Sequence, residues 1–321
     1  MSQTKIIITG PLNPAAVAIL ELHGELIYAP NGDPATLMKL LADNGVALIL
    51  RGGGAATKDL IDASCHLKVI ARTGVGYDNV NVDAATARRV PVVYTPGAGA
   101  RAVAEASMAM MLGLCKHLVH WDQQMKAGNW SSRLELENGD LDGSTLGIIG
   151  FGRIGQILAS MAAPFDMNII AHDPLVPPQK AAELNVELVD LNALMGRSDF
   201  ICIHAALTNE SRGLINAARL QKVKRGACLI NLARGGLVES LDVVHEALQD
   251  GRLAGAGLDV FDPEPPDTSH PIFNEPNLLT APHALGQSKR AMANIFKSMA
   301  DDVVSILSGQ RPKFVVNPQV L

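Results

Sequence analysis

Cysteine is scarce and scattered: Cys65, Cys115, Cys202 and Cys228 lie far apart, and none forms a CxxC pair. That spacing argues against a zinc site and against a disulfide framework. Three of the four sit inside apolar segments, which points to buried thiols and a reduced, cytoplasmic setting. An excess of positive charge is also missing. The formal net charge is −5, so nothing electrostatic favours nucleic acid or an anionic membrane as a partner. Long hydrophobic runs are absent too. The most apolar helical candidate, 102–115, is interrupted by Glu105 and Ser107 and falls short of the roughly 20 residues that span a bilayer. The N-terminal MSQTKIIITG lacks the apolar core and cleavage site of a signal peptide. No internal repeat or low-complexity stretch interrupts the chain. With 48% apolar and 18% charged residues, the expectation is a soluble globular protein without long disordered tails.

What the sequence does have is alternation. Compact apolar runs at 5–9, 46–50, 68–71 and 92–94 are β-branched or Leu-rich and bounded by Gly, Pro, Asn or Asp. Helical stretches at 14–22 and 34–42 lie between them. A second series of runs, at 146–149, 168–171, 200–203, 228–231, 255–258 and 278–280, is interleaved with helices at 154–163 and 241–250. Continuous apolar strands alternating with helices indicate parallel sheets covered on both faces. Two longer helices, 102–117 and 287–307, look like connectors. The expected fold is therefore α/β with two doubly wound domains. Residues 1–100 plus 287–321 form one, and 101–286 form the other, inserted into it.

Gly150-Phe151-Gly152-Arg153-Ile154-Gly155 is a GxGxxG that follows an apolar strand and opens an amphipathic helix. In that setting Gly150 permits the tight turn, Gly152 lets the backbone approach a pyrophosphate, and Gly155 allows close helix–strand packing. The helix N-terminus favours the phosphate charge. Asp173 ends the next strand, where a carboxylate can accept from the adenosine ribose and repel the extra phosphate of NADP. The cofactor expected is NAD.

Three more segments each end an apolar strand. They are Asn231 to Gly236 with Arg234, Leu258 to Pro265 with Asp259 and Glu264, and Ala281-Pro282-His283. Ligands of open α/β sheets collect at the carboxyl ends of strands, so an arginine, two carboxylates and a histidine can converge on one crevice. Oxidising a hydroxy acid by hydride transfer needs such a set: a base for the hydroxyl proton and a cation for the carboxylate. His283 suits the first because imidazole titrates near neutrality, and Glu264 would fix its tautomer. Arg234 suits the second through its bidentate fork. A surface ion pair and a structural histidine would leave the same letters in the sequence.

These residues, together with Arg72 to Asn79 and Val103-Ala104-Glu105, resemble the D-isomer-specific 2-hydroxyacid dehydrogenase family over nearly the whole length. The resemblance implies a Rossmann NAD-binding domain and a flavodoxin-like substrate domain. It implies Arg234, Glu264 and His283 as catalytic residues, and substrate carboxylate binding by the N–H groups of Val75 and Gly76. Arg153 and Ile154 would contact the pyrophosphate, and Asp259 the nicotinamide amide. It also implies a homodimer, with the 102–117 region at the contact. Two departures stand out: His283 is followed by Ala284-Leu285-Gly286, and Ala206 stands where a proline is usual.

Within the family the resemblance is nearest to D-3-phosphoglycerate dehydrogenases, in a short form without their regulatory domain. Arg51 and Arg72 would then hold a phosphate or second carboxylate. Reduction of glyoxylate, hydroxypyruvate or another 2-oxo acid stays open, as does a different class, an NAD-sensing corepressor-like binding protein.

Overall fold

The computed structural model describes residues 4–321. The chain divides into two compact units, Met1–Gly99 with Ser288–Leu321, and Ala100–Gln287. In the first, strands β1 (Lys5–Ile8), β2 (Glu25–Tyr28), β3 (Gly45–Leu50), β4 (Val69–Arg72) and β5 (Val92–Val93) form a sheet in the order β2-β1-β3-β4-β5. Every pairing is parallel. β3 reads GVALIL and is buried throughout, because helices cover both faces of a parallel sheet and leave no polar side. Leu37, Leu41, Leu60 and Ile61 pack on one face. Leu20 and, from helix Lys289–Leu307, Ile295, Phe296, Met299 and Val303 pack on the other. Asp302 on that helix is buried and accepts N–H bonds from Lys313 and Phe314 at 2.6 and 3.3 Å. Asn317 then bonds Val92 N–H and the Val90 carbonyl, which ties the last residues to β5.

The second unit holds β6 (Thr145–Ile149), β7 (Asn168–His172), β8 (Glu187–Leu188), β9 (Phe200–Ile203), β10 (Ala227–Asn231), β11 (Leu253–Leu258) and β12 (Leu278–Thr280). Their order is β12-β11-β10-β9-β6-β7-β8, again all parallel. The order of winding reverses between β6 and β9, and between β1 and β3 in the other unit. These are the switch points where doubly wound sheets bind ligands. The fold class expected from the sequence is the one found.

Helix Arg153–Ala162 buries Gly155, Leu158, Ala159 and Ala162. That i, i+3, i+4, i+7 stripe is what one helical face requires. It lies in the same core as helix Ala100–Cys115, most of whose residues are buried. Much of the apolar character of Ala100–Cys115 is therefore buried within its own unit. The exposed apolar side chains follow it, on helix Leu118–Lys126, which has no buried residue, and at Trp130 and Leu134. Among the described residues no single helix is long and apolar enough to cross a membrane, and the one pair that passes together is bent by 58°. Two strands, β2 and β8, carry no clear sequence signal. Both lie at sheet edges and are partly exposed, so neither needs a continuous apolar run.

Candidate active site

The switch point of the seven-stranded sheet is built by glycine and aspartate. Gly150 has φ +92°, and a Cβ there would lie 2.5 Å from Ala205 N and 2.6 Å from the His204 carbonyl carbon. The turn after β6 thus needs a residue without a side chain, both for its backbone angle and for its contact with the chain leaving β9. A Cβ at Gly152, by contrast, would meet nothing within 4 Å. Open space stands over the N-terminus of helix Arg153–Ala162, which has no side-chain cap. The first N–H groups of a helix have no partner within it, so this end can take an anion. Asp173, at the end of β7, accepts Phe151 N–H at 2.8 Å through one oxygen and Leu175 N–H at 2.9 Å through the other. It braces the glycine loop, and each oxygen keeps a lone pair for a further donor. An uncapped helix end under open space, next to a carboxylate acceptor, fits a dinucleotide.

Three turns at the ends of β10, β11 and β12 interlock. Asn231 is fully buried; its Nδ2 donates to the Arg234 carbonyl at 2.8 Å and its Oδ1 accepts Ala233 N–H at 3.0 Å, so one side chain shapes the turn that presents Arg234. Asn231's own carbonyl accepts Asp259 N–H at 3.1 Å. Asp259 in turn accepts His283 N–H through its carbonyl at 2.7 Å. Its buried carboxylate accepts Ala284 N–H at 2.9 Å and Leu285 N–H at 3.2 Å. Burial pushes the Asp259 carboxyl above its ordinary value, against the pull of those N–H donors. The Ala284-Leu285 departure costs nothing here, because these residues act through the backbone.

His283 is held at φ +53°, an uncommon conformation for a residue with a Cβ that persists only where neighbours enforce it. Its Nδ1 lies 2.9 Å from Glu264 Oε2 and 3.1 Å from Oε1. Oε1 also accepts Phe261 N–H at 3.1 Å. Burial raises the Glu264 carboxyl, but the His283 hydrogen bond, the Phe261 N–H and the charges of His283 and Arg234 outweigh it and hold the group below the usual carboxylate range. An ionised Glu264 facing Nδ1 leaves Nε2 outermost, and the two side chains are 47% and 41% exposed, so a substrate can reach the ring. The structure thus brings Arg234, Glu264 and His283 together. It places Asp259 under them, as the residue that shapes the His283 turn. Asn231 was missed as a site residue in the sequence, although an Asn that ends a strand before a turn is a recognised signal for turn-building.

The five-stranded sheet has its own strand-end loops. Arg72 donates from Nε to Gly76 O at 2.8 Å and from Nη1 to Leu50 O at 3.1 Å. It is a brace for the loop carrying Val75 and Gly76. Among the described residues nothing accepts the N–H of either Val75 or Gly76. Arg51, after β3, lies with its guanidinium 4.4 Å over the Phe296 ring, and its Nη1 is buried without a partner. Of the two arginines, Arg51 is the one with a donor still to satisfy. Among the described residues no group of His, Cys, Asp or Glu could hold a metal ion.

Residues 108–284 match the D-isomer specific 2-hydroxyacid dehydrogenase, NAD binding domain. Over 98% of its length the chain is 38% identical to a D-3-phosphoglycerate dehydrogenase of Methanocaldococcus jannaschii, and it spans 59% of that protein. It is 36% identical to a hydroxypyruvate reductase of Thermotoga maritima, covering 92% of this chain and 95% of the relative. The crystal structure of the TT0316 protein from Thermus thermophilus superposes with a TM-score of 0.89 at 33% identity, covering 98% of this chain and all of that one (100%). Two doubly wound sheets, a glycine loop at one switch point and this similarity over nearly all its length place the chain in the D-isomer specific 2-hydroxyacid dehydrogenase family.

Proposed function

We propose that the protein is an NAD-dependent dehydrogenase that interconverts a small D-2-hydroxy acid and its 2-oxo acid. The observation that carries this reading is the His283–Glu264 pair, 2.9 Å apart and open to solvent beside Arg234. Bound NAD would accept or supply the hydride at C2. Its pyrophosphate would be held by Arg153, Ile154 and the glycine loop, and its adenosine ribose by Asp173, whose charge disfavours the NADP phosphate. In oxidation His283 takes the substrate hydroxyl proton at Nε2, and the Glu264 carboxylate stabilises the imidazolium that forms. In reduction His283 gives that proton to the carbonyl oxygen. Arg234 neutralises the substrate carboxylate, and the free N–H groups of Val75 and Gly76 are suited to the same class of anion. Asn231 and Asp259 hold their turns in place; the nicotinamide amide remains a further candidate partner of Asp259.

The buried, unpaired Nη1 of Arg51 supports an acid with a second anionic group, a phosphate above all. 3-Phosphoglycerate is therefore the first substrate to test, with glyoxylate and hydroxypyruvate as alternatives. Exposed Leu118, Met125, Trp130 and Leu134 support a homodimer formed on the 118–134 segment. Four free cysteines, three of them buried, suit a cytoplasmic enzyme.

NADH oxidation against 3-phosphohydroxypyruvate, hydroxypyruvate, glyoxylate and pyruvate tests the reading. Turnover should be highest with the phosphorylated acid and fall most steeply for it in Arg51→Ala. His283→Ala should lower kcat by at least about a hundredfold while NADH still binds. Near-normal turnover in that variant would remove the acid–base assignment. Binding of NADH with no turnover of any 2-oxo acid would overturn the enzyme reading.

A further inference from the structure

We propose that Nδ1 of His204 is a preset acceptor for a hydroxyl of the nicotinamide-side ribose of bound NAD, a contact that rests on the dinucleotide placement given above. His204 directly follows β9, donates its N–H to Ile149 O at 2.7 Å and lies against Gly150 at the switch point. Its Nε2 is 3.3 Å from Ser107 Oγ, and Ser107 donates its hydroxyl proton to the Val103 carbonyl at 3.0 Å. Ser107 Oγ can therefore only accept from the ring, so Nε2 carries the hydrogen and Nδ1 the lone pair. That Nδ1 is buried and has no partner, an arrangement native proteins rarely leave unfilled. Burial also lowers the imidazole to about 4, so it stays a neutral acceptor at working pH.

Sheet order identifies the donor. Asp173 on β7 takes the adenosine side, the glycine loop on β6 takes the pyrophosphate, and Arg234 and His283 after β10 and β12 face the reacting ring. β9 lies between β6 and β10. The part of a dinucleotide that lies between its pyrophosphate and its nicotinamide is a ribose, whose free groups are hydroxyl donors.

Calorimetric titration with NADH and with ADP, which ends at the pyrophosphate, tests the contact. His204→Leu should weaken NADH by about threefold to tenfold, the worth of one neutral hydrogen bond, and leave ADP unchanged. His204→Gln, whose amide oxygen can accept, should recover part of the loss. Ser107→Ala, which frees the tautomer, should weaken NADH in the same direction. In the unmodified protein, the nitrogen resonance of His204 Nδ1 should move on adding NADH and not on adding ADP; this holds even if a variant folds poorly. Equal weakening of NADH and ADP, or a resonance unmoved by NADH, overturns the contact while leaving the dinucleotide placement intact. Failure of the unmodified protein to bind ADP and NADH overturns the placement itself, and this contact with it.

Discussion

Glu264 is ionised well into the acid range because His283, Phe261 N–H and Arg234 all favour its charged form over the opposing effect of burial. The sign of the consequence follows. A depressed carboxyl stabilises the folded pair above its ordinary value, and that stabilisation is lost as pH falls through the lowered one. Above that range the ionised carboxylate faces His283 Nδ1. Glu264→Gln should therefore lower kcat for 2-oxo acid reduction and flatten the fall of Tm on acidification below neutral pH. A Tm that falls as steeply with acid in this variant would mean that the ionised Glu264 does not contribute that stability. Arg234, Glu264 and His283 were each legible in the sequence, since each follows an apolar strand. The buried supports were not. Asp259 reads in sequence like one more ligand-facing carboxylate, and only its bonds to Ala284 and Leu285 N–H reveal that it shapes the turn under His283.

Turns carry the site, and one of them leaves no room for a methyl group. A Cβ on Gly235 would fall 2.0 Å from the Phe261 carbonyl carbon and 2.5 Å from Asp262 N, both backbone atoms that cannot step aside. The Arg234 turn and the Glu264 segment thus touch main chain to main chain. Gly235→Ala should lower stability by roughly 1–3 kcal/mol, the scale of forced overpacking, and lower kcat as Arg234 and Glu264 move apart. Thermal unfolding and steady-state kinetics on the same sample check both, and an unchanged Tm would show that the two loops yield freely. Helix Ala100–Cys115 is the element whose sequence admits two readings. Its Ala/Met-rich stretch reads equally as an interface or as interior, because periodicity reports that a face is buried and not what buries it. In the structure most of its residues are buried in one core with helix Arg153–Ala162.

For the whole molecule the open question is assembly. Leu118 and Trp130 are each 63% exposed and Leu134 is 84% exposed, apolar side chains on one short segment that a second chain would cover in the proposed homodimer. Leu118→Glu combined with Met125→Glu should turn a dimer into a monomer in sedimentation at micromolar concentration, without loss of the secondary structure seen by circular dichroism. An unmodified protein that already sediments as a monomer would overturn the homodimer. The sequence by itself determined the α/β class and the NAD fingerprint, and named the three chemical groups of the proposed site, because strand-ending residues, glycine spacing and apolar runs are local facts. Tertiary structure alone decided that Asp259 holds the His283 turn, which arginine braces a loop and which keeps an unpaired donor, and that His204 holds a lone pair in reserve. Those distinctions depend on distances between residues far apart in the chain, and strand spacing, turn geometry and burial set such distances only once the sheet is assembled.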